Sequence, residues 1–151
     1  MVDNTFIDIK SSLLKYCKDV IARYPSIMPG WTVFDFDSHA SVNEMPNTDV
    51  LGIMEYSVSN HDNHYYVTCM ITVCTKSDDA QLKRLHPAMN ALFGELKPGW
   101  GGIQVVNSNT GDAVGNLKVM ENVTALPVGR ADNRPIQMIA VELGSSFLVP
   151  P

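Results

Sequence analysis

The stretch VFDFDSH, residues 33–39, closes an apolar run with two aspartates set two residues apart. One carboxylate at such a strand end can attack phosphorus while its neighbour moves the proton, so Asp35 and Asp37 raise the question of phosphoryl-transfer chemistry. On an extended strand Asp35, Asp37 and His39 also share one face. That spacing suits a divalent cation if a further ligand arrives from elsewhere, and the cluster His61, Asp62 and His64 could supply it.

Haloacid-dehalogenase-type hydrolases, which use such a pair, need a serine or threonine, a lysine and further acids on separate strand ends of a parallel sheet. Here the matches are Thr75, Lys76, Asp78 and Asp79, all within five residues. They cannot occupy separate strands, and His39 stands where that family has threonine or valine. The pattern is met more simply by Asp35 and Asp37 in water opposite Phe34 and Phe36 in a core. His61, Asp62 and His64 lie in polar turn sequence, where these residue types occur for backbone reasons.

Nucleophiles find little support. Cys17 falls on the apolar face of a helical pattern, Cys69 and Cys74 point to opposite faces of a strand, and His86 beside Pro87 reads as a helix-surface residue. There is no Gly-x-Ser-x-Gly. The segment Pro98-Gly99-Trp100-Gly101-Gly102 follows a helix and precedes a strand, the reverse of a phosphate cradle. It reads as a tight turn with Trp100 as a packing anchor, inside the domain or against a partner. Catalysis therefore has no convergent support, and neither a metal nor a cofactor is expected.

The 151 residues suit one domain, 45% apolar and only 18% charged, so part of the surface is expected to be covered by partners. Eleven basic side chains face sixteen acidic ones, a formal charge of −5, with no basic cluster. This argues against a dedicated nucleic-acid binder and against an anionic membrane surface. Three cysteines without paired spacing point to a reducing compartment. The acidic N-terminus is unlike a signal peptide and no apolar run reaches membrane-spanning length, so synthesis in a cytoplasm is expected.

Periodicity from Phe6 through Ile9, Leu13, Tyr16, Cys17, Val20 and Ile21 to Tyr24 predicts a helix over roughly residues 5 to 24, with Thr5 and Asp8 as a weak capping pair and Pro25 at the exit. WTVFDF predicts a short strand, and DVLGIMEYSV and HYYVTCMITVC an antiparallel hairpin. In its second strand Tyr65, Val67, Cys69, Ile71 and Val73 make the better core face, and cover is expected on both sides of the sheet. A second helix is predicted in KSDDAQLKRLHPAMNALFGELKPG, capped by Ser77, with Leu82, Leu85, Met89, Leu92, Phe93 and Leu96 on one face and Pro87 kinking or splitting it. IQVV and LKVMENVTALPV read as strands around a mobile loop from Asn107 to Asn116, and IQMIAVEL as a last strand.

The fold class expected is α+β: an antiparallel or mixed sheet with two main helices packed against it, one domain over residues 1–144 and an extended arm over 145–151. In its order of elements, from the N-terminal helix through the DVLGIMEYSV and YYVTCMITVC strands and the helix DDAQLKRLHPAMNALFGEL to IQMIAVEL, the chain resembles the tail terminator and tail-completion proteins of long-tailed bacteriophages. That resemblance implies a homohexameric ring that caps the tail tube, meets the tail tube and neck or connector proteins, and lets DNA through a lumen that the acidic balance would keep from sticking. Such a ring closes by heterologous contacts. Trp100, the loop residues Asn107, Asn109 and Asp112, and the arm residues Phe147, Leu148 and Val149 are the expected interface elements. A small metal-dependent hydrolase using Asp35 and Asp37, or a small-ligand-binding α+β domain with a deep pocket, are the rival readings.

Overall fold

The computed structural model describes residues 4–38, 44–62 and 64–145. Helix α1 spans Thr5–Arg23 and buries Ile9, Leu13, Tyr16, Cys17 and Val20, the stripe its periodicity predicts. It ends where the Tyr24 amide turns back to the carbonyls of Val20 and Ile21, just ahead of Pro25. The expected Thr5/Asp8 cap is corrected: Asn4 precedes the first turn without a side-chain cap, and Asp8 is buried and turned towards another element. Phe6 lies on the rim, 54% exposed, with its ring 4.9 Å from that of Tyr56.

Among the described residues seven strands form the sheet: β1 (Thr32–Asp35), β2 (Val50–His61), β3 (His64–Cys74), β4 (Ile103–Val106), β5 (Ala113–Ala125), β6 (Gly129–Ala131) and β7 (Arg134–Ser145). Their order is β1-β2-β3-β7-β5-β4, with β6 prolonging the line of β5 along β7. Every pairing is antiparallel except β1 with β2, so the sheet is mixed. The β6–β7 turn puts Asp132 and Asn133 at φ of +52° and +64°, the paired left-handed residues of a two-residue hairpin. Gly52 sits so close to β1 that a Cβ there would lie 1.7 Å from the Phe34 carbonyl oxygen.

The second helix differs from expectation. Residues Ala80–Leu82 form a single 3-10 turn, and helix α2 spans only Leu85–Glu95. Pro87 therefore falls in the first turn, where its missing N–H costs no helical bond. Leu85, Met89, Leu92 and Leu96 are buried as expected, whereas Phe93 is 47% exposed.

Both helices pack on one face of the sheet, where α1, α2 and the inward residues of β2, β3, β4, β5 and β7 make the main core. The opposite face is covered only in part. Phe34, Phe36 and Met45 close over Val50, Cys74 and Ile136 in a smaller cluster on which Met54 also packs, and Met70, Met138 and Ala140 lie half-buried. No helix among the described residues is long and apolar enough to cross a membrane.

Candidate functional site

Strand β1 stops at Asp35, and Phe36–Ser38 turn as a 3-10 segment, so Asp35 and Asp37 do not share a strand face. Each carboxylate has its own local task. Asp35 takes Lys10 Nζ at 3.0 Å and the Ser38 hydroxyl on Oδ2, and the Asp37 amide on Oδ1 at 3.2 Å. Asp37 accepts the Glu55 amide on Oδ1 at 3.0 Å and the Tyr56 amide on Oδ2 at 2.9 Å. Those amides belong to a bulge in β2 between Met54 and Ser57, where Glu55 has φ of +54°. All four carboxylate oxygens thus meet protein donors. Partial burial pushes the Asp35 carboxyl up, but the hydrogen bonds from Ser38 and Lys10 and the Lys10 charge outweigh it and hold the group below its ordinary range. Phe34 and Phe36 are buried as expected, in the smaller cluster rather than the main core.

His61 and His64 face each other at the tip of the β2–β3 hairpin, with His61 and Asp62 exposed and 3.8 Å apart. His61 is five residues beyond Tyr56, or about 17 Å at about 3.3 Å per residue, so this cluster does not meet the aspartates. His39 lies outside the described residues. Among the described residues no three His, Cys, Asp or Glu side chains converge to hold a metal ion.

The cysteines lie where the pattern placed them: Cys17 and Cys69 in the main core, Cys74 in the smaller cluster on the opposite face. Burial raises all three thiols, Cys69 to about 12, so none is held as a reactive thiolate.

The densest polar constellation was not legible as such in the sequence. Asp79 accepts the Thr75 hydroxyl and the Arg84 and Leu85 amides, which makes it the cap of α2 in place of Ser77. Arg84 bridges Asp49 at 2.7 Å and Asp78 at 2.6 Å, while Asp49 also takes the Lys76 amide. Arg134 spends its guanidinium on the carbonyls of Thr75, Pro46 and Thr48. The donors and acceptors satisfy one another, so this cluster fastens the end of the β1–β2 connection to α2 and β7.

Of the expected interface elements, Trp100 packs inward. Its ring lies across Gly102 and 5.8 Å from that of Tyr16. The loop expected over Asn107 to Asn116 is shorter, because Ala113 to Asn116 belong to β5 and pair with β4. Within it the Asn107 side chain takes the amides of Asn109 and Thr110, Thr110 takes the Asp112 amide, and buried Asp8 holds the Ser108 amide and hydroxyl. The loop is thereby tied to α1 through Asp8. Phe147, Leu148 and Val149 lie outside the described residues, and the last strand, expected over IQMIAVEL at residues 136–143, spans Arg134–Ser145.

Two grooves remain. One, of about 230 Å³, lies between α1 and β4 and is polar, lined by Lys15, Tyr16, Asp19, Arg23, Trp100 and Gln104. Arg23 in it is engaged by Glu95, which also takes the Tyr16 hydroxyl. The other, of about 270 Å³, lies between α2 and β5 and includes Phe93, Leu96, Pro98, Glu121 and Val123.

No known family profile matches the chain, and no curated protein does. Among solved structures, a chain known only by a sequence identifier aligns over 100% of this chain and 99% of its own, at a TM-score of 0.49 and 12% identity. It lends this chain no function.

Proposed function

We propose that the chain is a structural, non-enzymatic subunit of a long-tailed bacteriophage virion, a ring of six copies that caps the tail tube and joins it to the neck. The observation that carries this reading is the partly covered sheet. On its outer face Met70, Met138 and Ala140 are only half-buried beside the smaller cluster, which suits a surface that a partner completes. The aspartates that would carry a hydrolase reading are spent on a turn and a bulge, which favours assembly over catalysis. In this reading the tail tube and the neck are the partners, the virion is the place of action, and the acidic balance faces passing DNA without binding it.

Light scattering over a concentration series, with and without added tail tubes, tests it. A closed particle of six times the 16.6 kDa chain mass is expected. A chain that remains a monomer or dimer throughout would overturn it. The second reading, a small-ligand domain, rests on the polar groove beside Tyr16 and Trp100. A monomer whose melting temperature rises with a small polar ligand, an effect lost in Trp100→Ala, would favour that reading instead.

A further inference from the structure

The two sides of the sheet differ in how their edges are closed. At β4 the helix does the closing: Ser12 Oγ accepts the Val106 amide at 3.0 Å, and Asp8 accepts the Ser108 amide two residues on. Further along the same side, β5 runs past the end of β4, and only the 99–100 turn pairs with it, through Val119. No strand among the described residues pairs with the outer edge of residues 121–125.

The direction of the free groups follows from the ladder. Leu126 donates its amide to Met138 on β7, so Thr124 also turns its backbone groups to β7 and Val123 and Ala125 turn theirs outward. An open edge without proline or lysine is a template for another strand. Beside it, on the helix side, lies the mostly apolar groove of Phe93, Leu96, Pro98 and Val123, which Asn90, Lys97 and Glu121 also line. Main-chain groups in a row with an apolar slot for alternate side chains are the two components of recognition by strand addition. They also account for Phe93, a large apolar side chain left exposed here.

We propose that this edge and groove receive the segment around Phe147, Leu148 and Val149 of a neighbouring copy as an added strand, with Phe147 and Val149 directed into the slot beside Phe93. The proposal rests on the ring reading and names its subunit contact. The segment is uncharged and apolar, and the prolines that follow it suit an edge position. Its own copy cannot place it there. Extending the Lys118↔Gly144 register sets Ser145 opposite Leu117, so Val123 lies six residues back along β5, about 20 Å at about 3.4 Å per residue, and on its far side. Phe147 to Val149 are two to four residues beyond Ser145, a reach of about 7–14 Å.

The test uses the full chain and three variants: Phe93→Glu, which changes a half-exposed side chain; Ala125→Pro, which removes an amide that β7 does not use; and the pair Thr124→Cys with Leu148→Cys, whose side chains would share the face away from the slot. Circular dichroism and melting temperature check that each is folded. The result expected is a ring for the wild type, a single-chain mass for Phe93→Glu and Ala125→Pro, and, on mild oxidation of the cysteine pair, a ladder of disulfide-linked chains on a denaturing gel. Rings that survive both substitutions, or a disulfide closed within one chain, would overturn the docking site and leave the ring standing. A wild type of single-chain mass at every concentration would overturn the ring reading itself, and the contact with it.

Discussion

Asp37 is the residue on which a catalytic and a structural account part, and the bulge gives the structural account a magnitude. Its carboxylate accepts two backbone amides, from Glu55 at 3.0 Å and Tyr56 at 2.9 Å. A hydrogen bond to a charged group contributes about 1.5–3 kcal/mol. The side chain is exposed, so water competes and about half of the lower value is appropriate for each bond. Asp37→Ala should then cost about 1.5 kcal/mol, and Asp37→Asn, which keeps one acceptor oxygen, about half of that. For a chain of this size the alanine variant should melt about 3–6 °C lower. Glu55 adds an internal control. At φ of +54° it occupies the left-handed region that glycine enters freely, so Glu55→Gly in the alanine background should restore about 0.5–1 kcal/mol. Urea unfolding of the four proteins measures all of these. A midpoint for Asp37→Ala within about 0.3 kcal/mol of wild type, or no recovery with Glu55→Gly, would refute the assignment of Asp37 to the bulge.

Other perturbations follow from the same contacts. Gly52→Ala should cost about 3 kcal/mol, because its methyl group would meet the Phe34 carbonyl; amide exchange should show β1 released while β3 stays protected. Asp79→Ala should also cost about 3 kcal/mol in urea unfolding, since it removes the cap of α2 and strands the buried Thr75 hydroxyl and Leu85 amide. Stability should hold from neutral pH down to the ordinary carboxylate range and fall below about pH 4. The reason is that Asp35 and Glu95 are held below their usual values: burial raises each, but donors from Ser38 and Lys10, and from Arg23, Tyr24 and Tyr16, outweigh it. The unfolded chain then takes up protons before the folded one, so the contribution is complete above the unfolded pKa and is lost as pH falls through the folded one. Asp35→Asn should flatten this acid limb in a series of denaturation midpoints.

The sequence revealed what short-range periodicity controls. Helix α1 was legible within one residue at each end, as were the β2–β3 hairpin, the opposite faces of Cys69 and Cys74 and the partial apolarity of both sheet faces. It did not reveal the parallel pairing of β1, because pairing direction depends on the path of a connection with no periodic signal. Asp8 misled for a related reason. As an acid in a first helical turn it looked like a local cap, yet its partner is Ser108, a hundred positions away. Asp79 showed the converse, since the helix it caps begins only after a 3-10 turn. Phe93 was placed on the buried face by spacing alone, but it falls at the margin of the stripe made by Leu85, Met89, Leu92 and Leu96 and stays exposed. The sequence showed the aspartate pair without the companions a dehalogenase-type hydrolase needs, but the amides that Asp37 serves could not be foreseen without the bulge.

Strand β7 stands between β3 and β5 in the sheet, yet it is formed from Arg134–Ser145, after every other strand has been made. On the ribosome the β2–β3 hairpin and α1 can meet early, but the inner edge of β3 stays unsatisfied until β7 inserts. Arg134, at the head of that strand, also holds the carbonyls of Pro46 and Thr48, so the β1–β2 connection is fastened only then. Completion of the sheet is thus a late, long-range event, of the kind that slows folding. A growing chain stalled before residue 134 would carry half a core in the open, as a client for chaperones rather than a smaller version of the protein.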